Sequence, residues 1–271
     1  KKKLNIRIVY KNGGLIPQMN KGLKVAKGKI FVRTDDDVVT RKSWLKTINN
    51  VFKRDKKVGG LTGPTVIPKK FAKSRDLFYF QYKLKNGGIF WKIVGKIYYE
   101  YFMEGKPMKV AHWYKSGAFS LGSNFPIARK SKYKEITNLE ACNWSVRTKL
   151  LKKIGGFDTS YSGIGEYHEP DASLKIKKLG YKLMFHPKVE VNHCPSKEGF
   201  FGDRPQSYPR IINYIIFYKR HIKFDSLDKI VRFTTYLIFQ NLYYCYQAIN
   251  KKQIGLLGSI PGTFVGLLFK S

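Results

Sequence analysis

The acidic run Asp35-Asp36-Asp37 follows directly on an apolar stretch, in KGKIFVRTDDDVVTRKSWL. More than a hundred residues on, GGFDTSYSGIGEYHEPDASLKIKKLGYKLMFHPKVEVNH carries Glu169 and Asp171 and ends on His193. Carboxylates crowded at the end of a buried strand raise one another's pKa and stay ionised only beside positive charge. A divalent cation bridging a phosphorylated substrate supplies that charge most economically. Asp35 and Asp37 stand two apart on an extended segment, so their side chains point to the same side and can face one cation. An Asp run alone is as readily a surface turn. The apolar strand before it and the distant acids turn the reading toward chemistry.

Further residues fall into an ordered series. After the acidic strand end comes ACNWSVRTKLLKKIGGFD, then an acid two residues before Asp171, a helix, a Gly180-Tyr181 turn, a strand and a final His. In this order and spacing, from about Lys3 to His193, the chain resembles the family 2 glycosyltransferases. That resemblance implies a GT-A fold, nucleotide-sugar chemistry and a DxD motif at Asp35-Asp36-Asp37. It implies direct metal ligation by Asp37, contact of Asp35 with the ribose or with the metal through water, and a third metal ligand in His193. It implies contact of Asp35, Asp36 and Asn20 with the donor nucleotide, and of Asn143 and Trp144 with the acceptor or donor sugar, core packing being the equal alternative for those two. Three positions depart from the family pattern. His168-Glu169 stands where Glu-Asp is usual, Met19 where Arg precedes Asn20, and Ala141 where Gly begins the block before Asn143.

Glu169 is the candidate general base. Pro170 suits a first helical position, which puts Glu169 at a helix N-terminus, where the dipole favours the ionised form. Asp171 is a second catalytic candidate that could equally orient the helix or the acceptor, and Glu166 is a further fallback. A neutral imidazole at His193 suits Mn²⁺ better than Mg²⁺.

Around these residues the pattern alternates strand and helix. LNIRIVY has the period-two apolarity of a strand, and Met19, Leu23 and Ala26 give a helical face. KIFVR is a strand, and Trp44, Ile48 and Val51 fall at helical spacing. Val146, Leu150 and Ile154 read as a helical stripe stopped by Gly155-Gly156, and a helix after Pro170 carries Ala172 and Ile176 inward. Such order predicts an α/β fold, a mixed and mainly parallel sheet flanked by helices, with ligands at the strands' C-terminal ends. Family members open with further strands that grip the nucleotide base, so residues 1–203 read as an N-terminally incomplete catalytic domain. The aromatic, basic stretch 71–135 reads as a lid or insertion.

Lys and Arg outnumber Asp and Glu 52 to 18, a formal charge of +34 over 271 residues. That excess predicts anionic partners, and no nucleic-acid-binding motif accompanies it. The three cysteines form no paired framework and fit reduced thiols. Residues 204–271 read as a basic, aromatic helical region associated with a membrane. Phe233 to Asn250 and Gln253 to Phe269 are uncharged but broken by polar residues, Gly and Pro, which suits interfacial or re-entrant helices with lysines on anionic lipid. A soluble helical cap is the alternative. The expectation is therefore an inverting transferase using Mn²⁺ or Mg²⁺ that moves a sugar from a nucleoside-diphosphate sugar to a lipid-linked or membrane-proximal acceptor. It would act at the cytoplasmic face of a membrane. A metal-dependent nucleotidyltransferase and a non-catalytic membrane-binding remnant are the other classes.

Overall fold

A computed structural model describes residues 8–72, 76–194 and 206–269. Helix α1 (Leu15–Val25) leads into strand β1 (Ile30–Arg33), short strand β2 (Val38–Thr40) and helix α2 (Trp44–Arg54). Strands β3 (Val58–Thr62) and β4 (Thr65–Val66) follow. Most of LNIRIVY lies outside the described residues, and Ile8 to Tyr10 form no strand.

Stretch 71–135 holds the end of α3 (Lys69–Ala72), then α4 (Asp76–Asn86), α5 (Ile89–Lys96), a π-helical turn over Ile97–Phe102 and irregular chain up to β5 (Lys134–Glu135). Strand β6 (Trp144–Arg147) and helix α6 (Thr148–Lys153) come next, then α7 (His168–Lys178), β7 (Lys182–Phe185) and β8 (Val191–His193). Val146 thus belongs to a strand and not to the expected helical stripe, because Trp144 and Val146 alternate inward before the helix starts at Thr148. The chain ends in α8 (Tyr208–Phe217), α9 (Leu227–Lys251) and α10 (Ser259–Leu268).

The larger sheet runs β1-β6-β3-β7-β5, and the smaller one β2-β8-β4. This corrects the expectation of a mainly parallel sheet. Among the described strands only β3–β7 and β4–β8 pair in parallel, while β6 runs antiparallel between β1 and β3. The α/β class and the mixed sheet hold. The parallel expectation came from strand-helix alternation, which does not report that the chain returns through 71–143 before entering β6.

The core lies on both sides of the large sheet. One cluster joins Trp144, Val146, Leu150, Ile176 and Phe185 to Ile211, Ile215 and Phe217 of α8. The other packs Trp44, Ile48 and Phe52 of α2 on Val58, Leu61 and Val191. The expected boundary at residue 203 lies outside the described residues. On its far side, α8 is built into the same core as β6, and the more peripheral helices begin only with α9. Between β3 and β4, a Cβ on Gly63 would stand 2.0 Å from the Val189 carbonyl oxygen. Only glycine lets the chain cross so close to the segment that feeds β8.

Candidate active site

Two strand pairings assemble the site. β1 and β6 run antiparallel with Arg33 opposite Trp144, which sets the end of β1 beside the turn Ala141–Asn143. β2 and β8 pair with Val38 opposite His193, and Cys194 N–H donates to the Asp37 carbonyl at 2.8 Å. The acidic run leaves β1 and enters β2, so one register meets the turn and the other meets His193. His193 Nε2 lies 3.3 Å from Asp37 Oδ2. Asp35 is half-buried and Asp36 exposed.

Glu169 is brought to the same place by α7. Arg33 bridges the two acids: one guanidinium nitrogen is 3.0 Å from Asp35 Oδ1 and the other 2.5 Å from Glu169 Oε1. That second nitrogen also donates to the Ala141 carbonyl at 2.7 Å. His168 Nδ1, which donates to the Gly165 carbonyl, is also 3.2 Å from Glu169 Oε2. Glu169 is in the first turn of α7, as expected, but Tyr167 occupies the cap in a left-handed conformation with φ 76°. Glu169 is 5% exposed and its carboxylate is turned inward onto Arg33.

Burial raises the Asp35 pKa, and Arg33 only partly opposes this, with Glu169 and Asp37 adding to the rise and His193 countering it. Asp37 Oδ1 is buried and has no hydrogen-bond partner. An orphaned carboxylate oxygen beside an imidazole and a second carboxylate fits a divalent cation. Ligand atoms of Asp35, Cys142 and His193 lie within 4.8 Å of one another. Asp35, Asp37 and His193 were expected as ligands from the sequence; Cys142 was not. Nor were Arg33 and Glu140. Arg33 stands two residues before Asp35 on an extended chain, so the same-side argument that joined Asp35 to Asp37 would have found it. Glu140 is buried, its Oε1 lacks a partner, and burial pushes its carboxyl up to about 7 against a hydrogen bond from Ser123.

The remaining expected residues are used by the scaffold. Asp171 is fully buried. Its Oδ1 accepts from His221 Nε2 at 2.8 Å and Tyr161 Oη at 3.1 Å, and Lys175 is 2.7 Å from Oδ2. Burial would raise its pKa, but His221 and Lys175 outweigh it and hold the carboxyl below the usual aspartate value. Glu166 pairs with Arg210 at 2.9 Å. Asn20 exchanges two 2.8 Å bonds with the backbone of Phe157, clamping α1 to the GGFD turn in place of the expected donor contact. There Gly156 has φ +82° and leaves no room for a Cβ beside Asn20. Asn143 and Trp144 take the packing alternative, both at 0% exposure. The Asn143 amide binds Trp44 Nε1 at 3.0 Å and the Val189 carbonyl at 2.7 Å, and Trp144 Nε1 donates to Ser173 at 2.9 Å.

A family model described as glycosyl transferase family 2 matches residues 1–155. Among solved structures, the chain is similar to GalNAc-T7 with UDP, GalNAc and Mn²⁺, at 17% identity and TM-score 0.46, covering 76% of this chain and 34% of that one. It is also similar to the mannosyltransferase PcManGT of Pyrobaculum calidifontis in complex with GDP-Man and Mn²⁺, at 15% identity and TM-score 0.45, covering 95% of this chain and 68% of that one. The chain therefore spans about a third of the length of the GalNAc-T7 chain it matches. No curated protein sequence matches it significantly.

Proposed function

The chain belongs to glycosyl transferase family 2, and we propose that it transfers a sugar, with inversion, from a nucleoside-diphosphate sugar to an acceptor hydroxyl. The observation that carries this reading is the Arg33 bridge between Asp35 and Glu169, which joins the acidic strand end to the acid of α7. Asp35, Asp37 and His193 would hold Mn²⁺ or Mg²⁺, with the Cys142 thiol beside them. Bound there, the cation would supply the positive charge that a departing diphosphate needs. An imidazole favours Mn²⁺ over Mg²⁺.

Glu169 takes the proton of the acceptor hydroxyl, which attacks the anomeric carbon from the face opposite the diphosphate. Arg33 and His168 stand beside its two oxygens and fix their positions. One base and one displacement suffice for inversion, with no covalent intermediate. Asp35 and exposed Asp36 contact the donor. Asp171 serves from behind: its bonds to His221 and Tyr161 fix α7 and so fix Glu169. The acceptor is lipid-linked or membrane-proximal, met at the cytoplasmic face of a membrane, which accords with the +34 charge.

Release of nucleoside diphosphate from a panel of nucleotide sugars, with Mn²⁺ or with chelator, tests the proposal. Metal-dependent release is expected. Pyrophosphate release from a nucleoside triphosphate would instead mark nucleotidyl transfer. Failure to bind or cleave any nucleotide sugar would overturn the proposal.

A further inference from the structure

Helix α9 spans 25 residues, Leu227–Lys251, and carries no charged residue from Phe233 to Asn250. Its inner face is accounted for. Phe233 and Leu237 enter the main core, while Tyr236 and Phe239 pack on Phe102 at 4.9 and 5.3 Å. Its outer face is apolar too. Val231, Ile238, Leu242 and Ile249 are 43, 55, 65 and 79% exposed. They follow one another at i, i+7, i+11 and i+18. At 100° per residue they form one narrow stripe about 27 Å long. A helix on a water-facing surface ordinarily puts charged residues there.

The two neighbouring helices repeat the pattern. α10 is joined to α9 by Asn241 Nδ2, which donates to Thr263 Oγ1 at 2.9 Å. Gly262 and Gly266 press its inner side on α8, where a Cβ would come within 2.6 Å of Ile211 and 2.8 Å of Ile215. Phe264 and Leu268 point outward, 65 and 82% exposed. α5 meets α9 through Trp91 on Tyr246 at 5.2 Å and exposes Ile89, Phe90 and Ile93. Neither α5 nor α10 has an acidic residue, nor does α9 beyond Asp228. Lys92 and Lys96 on α5 and Lys252 after α9 are exposed.

We infer that α5, α9 and α10 form a monotopic docking surface for an anionic lipid bilayer, with α9 lying in the interface plane and its outer stripe entering the acyl boundary. Charge selects this occupant. Two copies of a +34 chain repel as these basic faces approach, whereas anionic headgroups attract them. Among the described residues no helix is long and apolar enough to cross a membrane, so the helices lie on it. The inference deepens the functional reading by naming the surface that carries the site to a membrane-bound acceptor. It needs no turnover for its test.

The test is co-sedimentation of the full chain with vesicles of phosphatidylcholine containing phosphatidylglycerol, against phosphatidylcholine alone. The double variant Leu242→Glu, Ile249→Glu changes only exposed positions, and circular dichroism and nucleoside-diphosphate binding without vesicles check that it is folded. The wild type should bind the anionic vesicles and be released only in part by high salt, because insertion of the stripe is not screened. The glutamate pair should lower the bound fraction about tenfold or more, and Lys92→Gln with Lys96→Gln should lower it less and mainly at low salt. Equal binding of wild type and glutamate pair, or no binding to the anionic vesicles, would overturn the inference. So would a wild-type dimer in solution that the glutamate pair dissociates, which would assign the stripe to a second copy. A chain that binds vesicles but never a nucleotide sugar would leave the surface standing and remove the transferase reading.

Discussion

Arg33 is the residue that ties the proposed site together. It holds two carboxylates that would otherwise repel, at 12% side-chain exposure, and removing one partner of such a buried pair typically costs about 3–5 kcal/mol. The proposed base is therefore tested more cleanly at Glu169, where Gln keeps the size and can still bond Arg33. Glu169→Gln should lower turnover by about 10² to 10⁴-fold with little change in nucleoside-diphosphate affinity. Near-normal turnover in that variant, with Asp171→Asn dead, would move the base to Asp171. That Asp35, Asp37, Glu169 and His193 come together was legible because strand spacing and motif order relate them without knowledge of burial. Asn143 and Trp144 were not, since a polar side chain that satisfies itself in a core carries the same letters as one that binds a sugar. Cys142 was hidden for a related reason. Nothing in a lone cysteine's neighbours along the chain reports that β6 will set it opposite the end of β1.

At the scale of elements, α7 carries Glu169 and is anchored to the turn after α8 by the bond between Asp171 and His221. Burial lowers the His221 pKa below its ordinary value, and the bond to Asp171 does not offset this. The folded chain therefore protonates His221 only at lower pH than the unfolded chain, which does so below about pH 6.5. Stability from this group is present above that pH and is lost as pH falls through the unfolded value toward the folded one. His112, pushed down to about 4 by burial and Lys109, acts in the same direction. Asp171, whose folded pKa is depressed, adds a further loss below about pH 4. Melting temperature should thus fall between about pH 7 and 5, and less steeply in His221→Gln, which keeps a donor for Asp171. An unchanged slope would contradict the anchor. Helices α1, α2 and α7 were legible from apolar spacing. Strand direction was not, because β6 follows a long irregular passage whose path no periodicity encodes.

For the whole molecule, composition foretold the electrostatics but not the division of labour. The +34 charge and the uncharged C-terminal stretches pointed to a membrane-facing region. The structure adds that α8 belongs to the same core as β6, so removing the C-terminal part takes away Ile211, Ile215 and Phe217 and uncovers the cluster around Trp144 and Phe185. Sequence reading missed this because RIINYIIFYKRHIK has the same letters whether it buries its apolar face in lipid or against a sheet. The insertion 71–135 proved to be the bed for α9, through Phe102 and Tyr98 on Phe239 at 5.3 and 5.6 Å. The insertion and the C-terminal region thus pack on each other.

The central claim is that segments as far apart as Asp37 and His193 build one cation site for a nucleotide sugar. Calorimetry of nucleoside-diphosphate binding to the full chain, with and without Mn²⁺, tests it in the wild type and in Asp37→Ala. The account predicts Mn²⁺-dependent affinity in the wild type that Asp37→Ala abolishes, because one carboxylate facing His193 is lost. Affinity that ignores Mn²⁺, or Mn²⁺ dependence that survives Asp37→Ala unchanged, would contradict it.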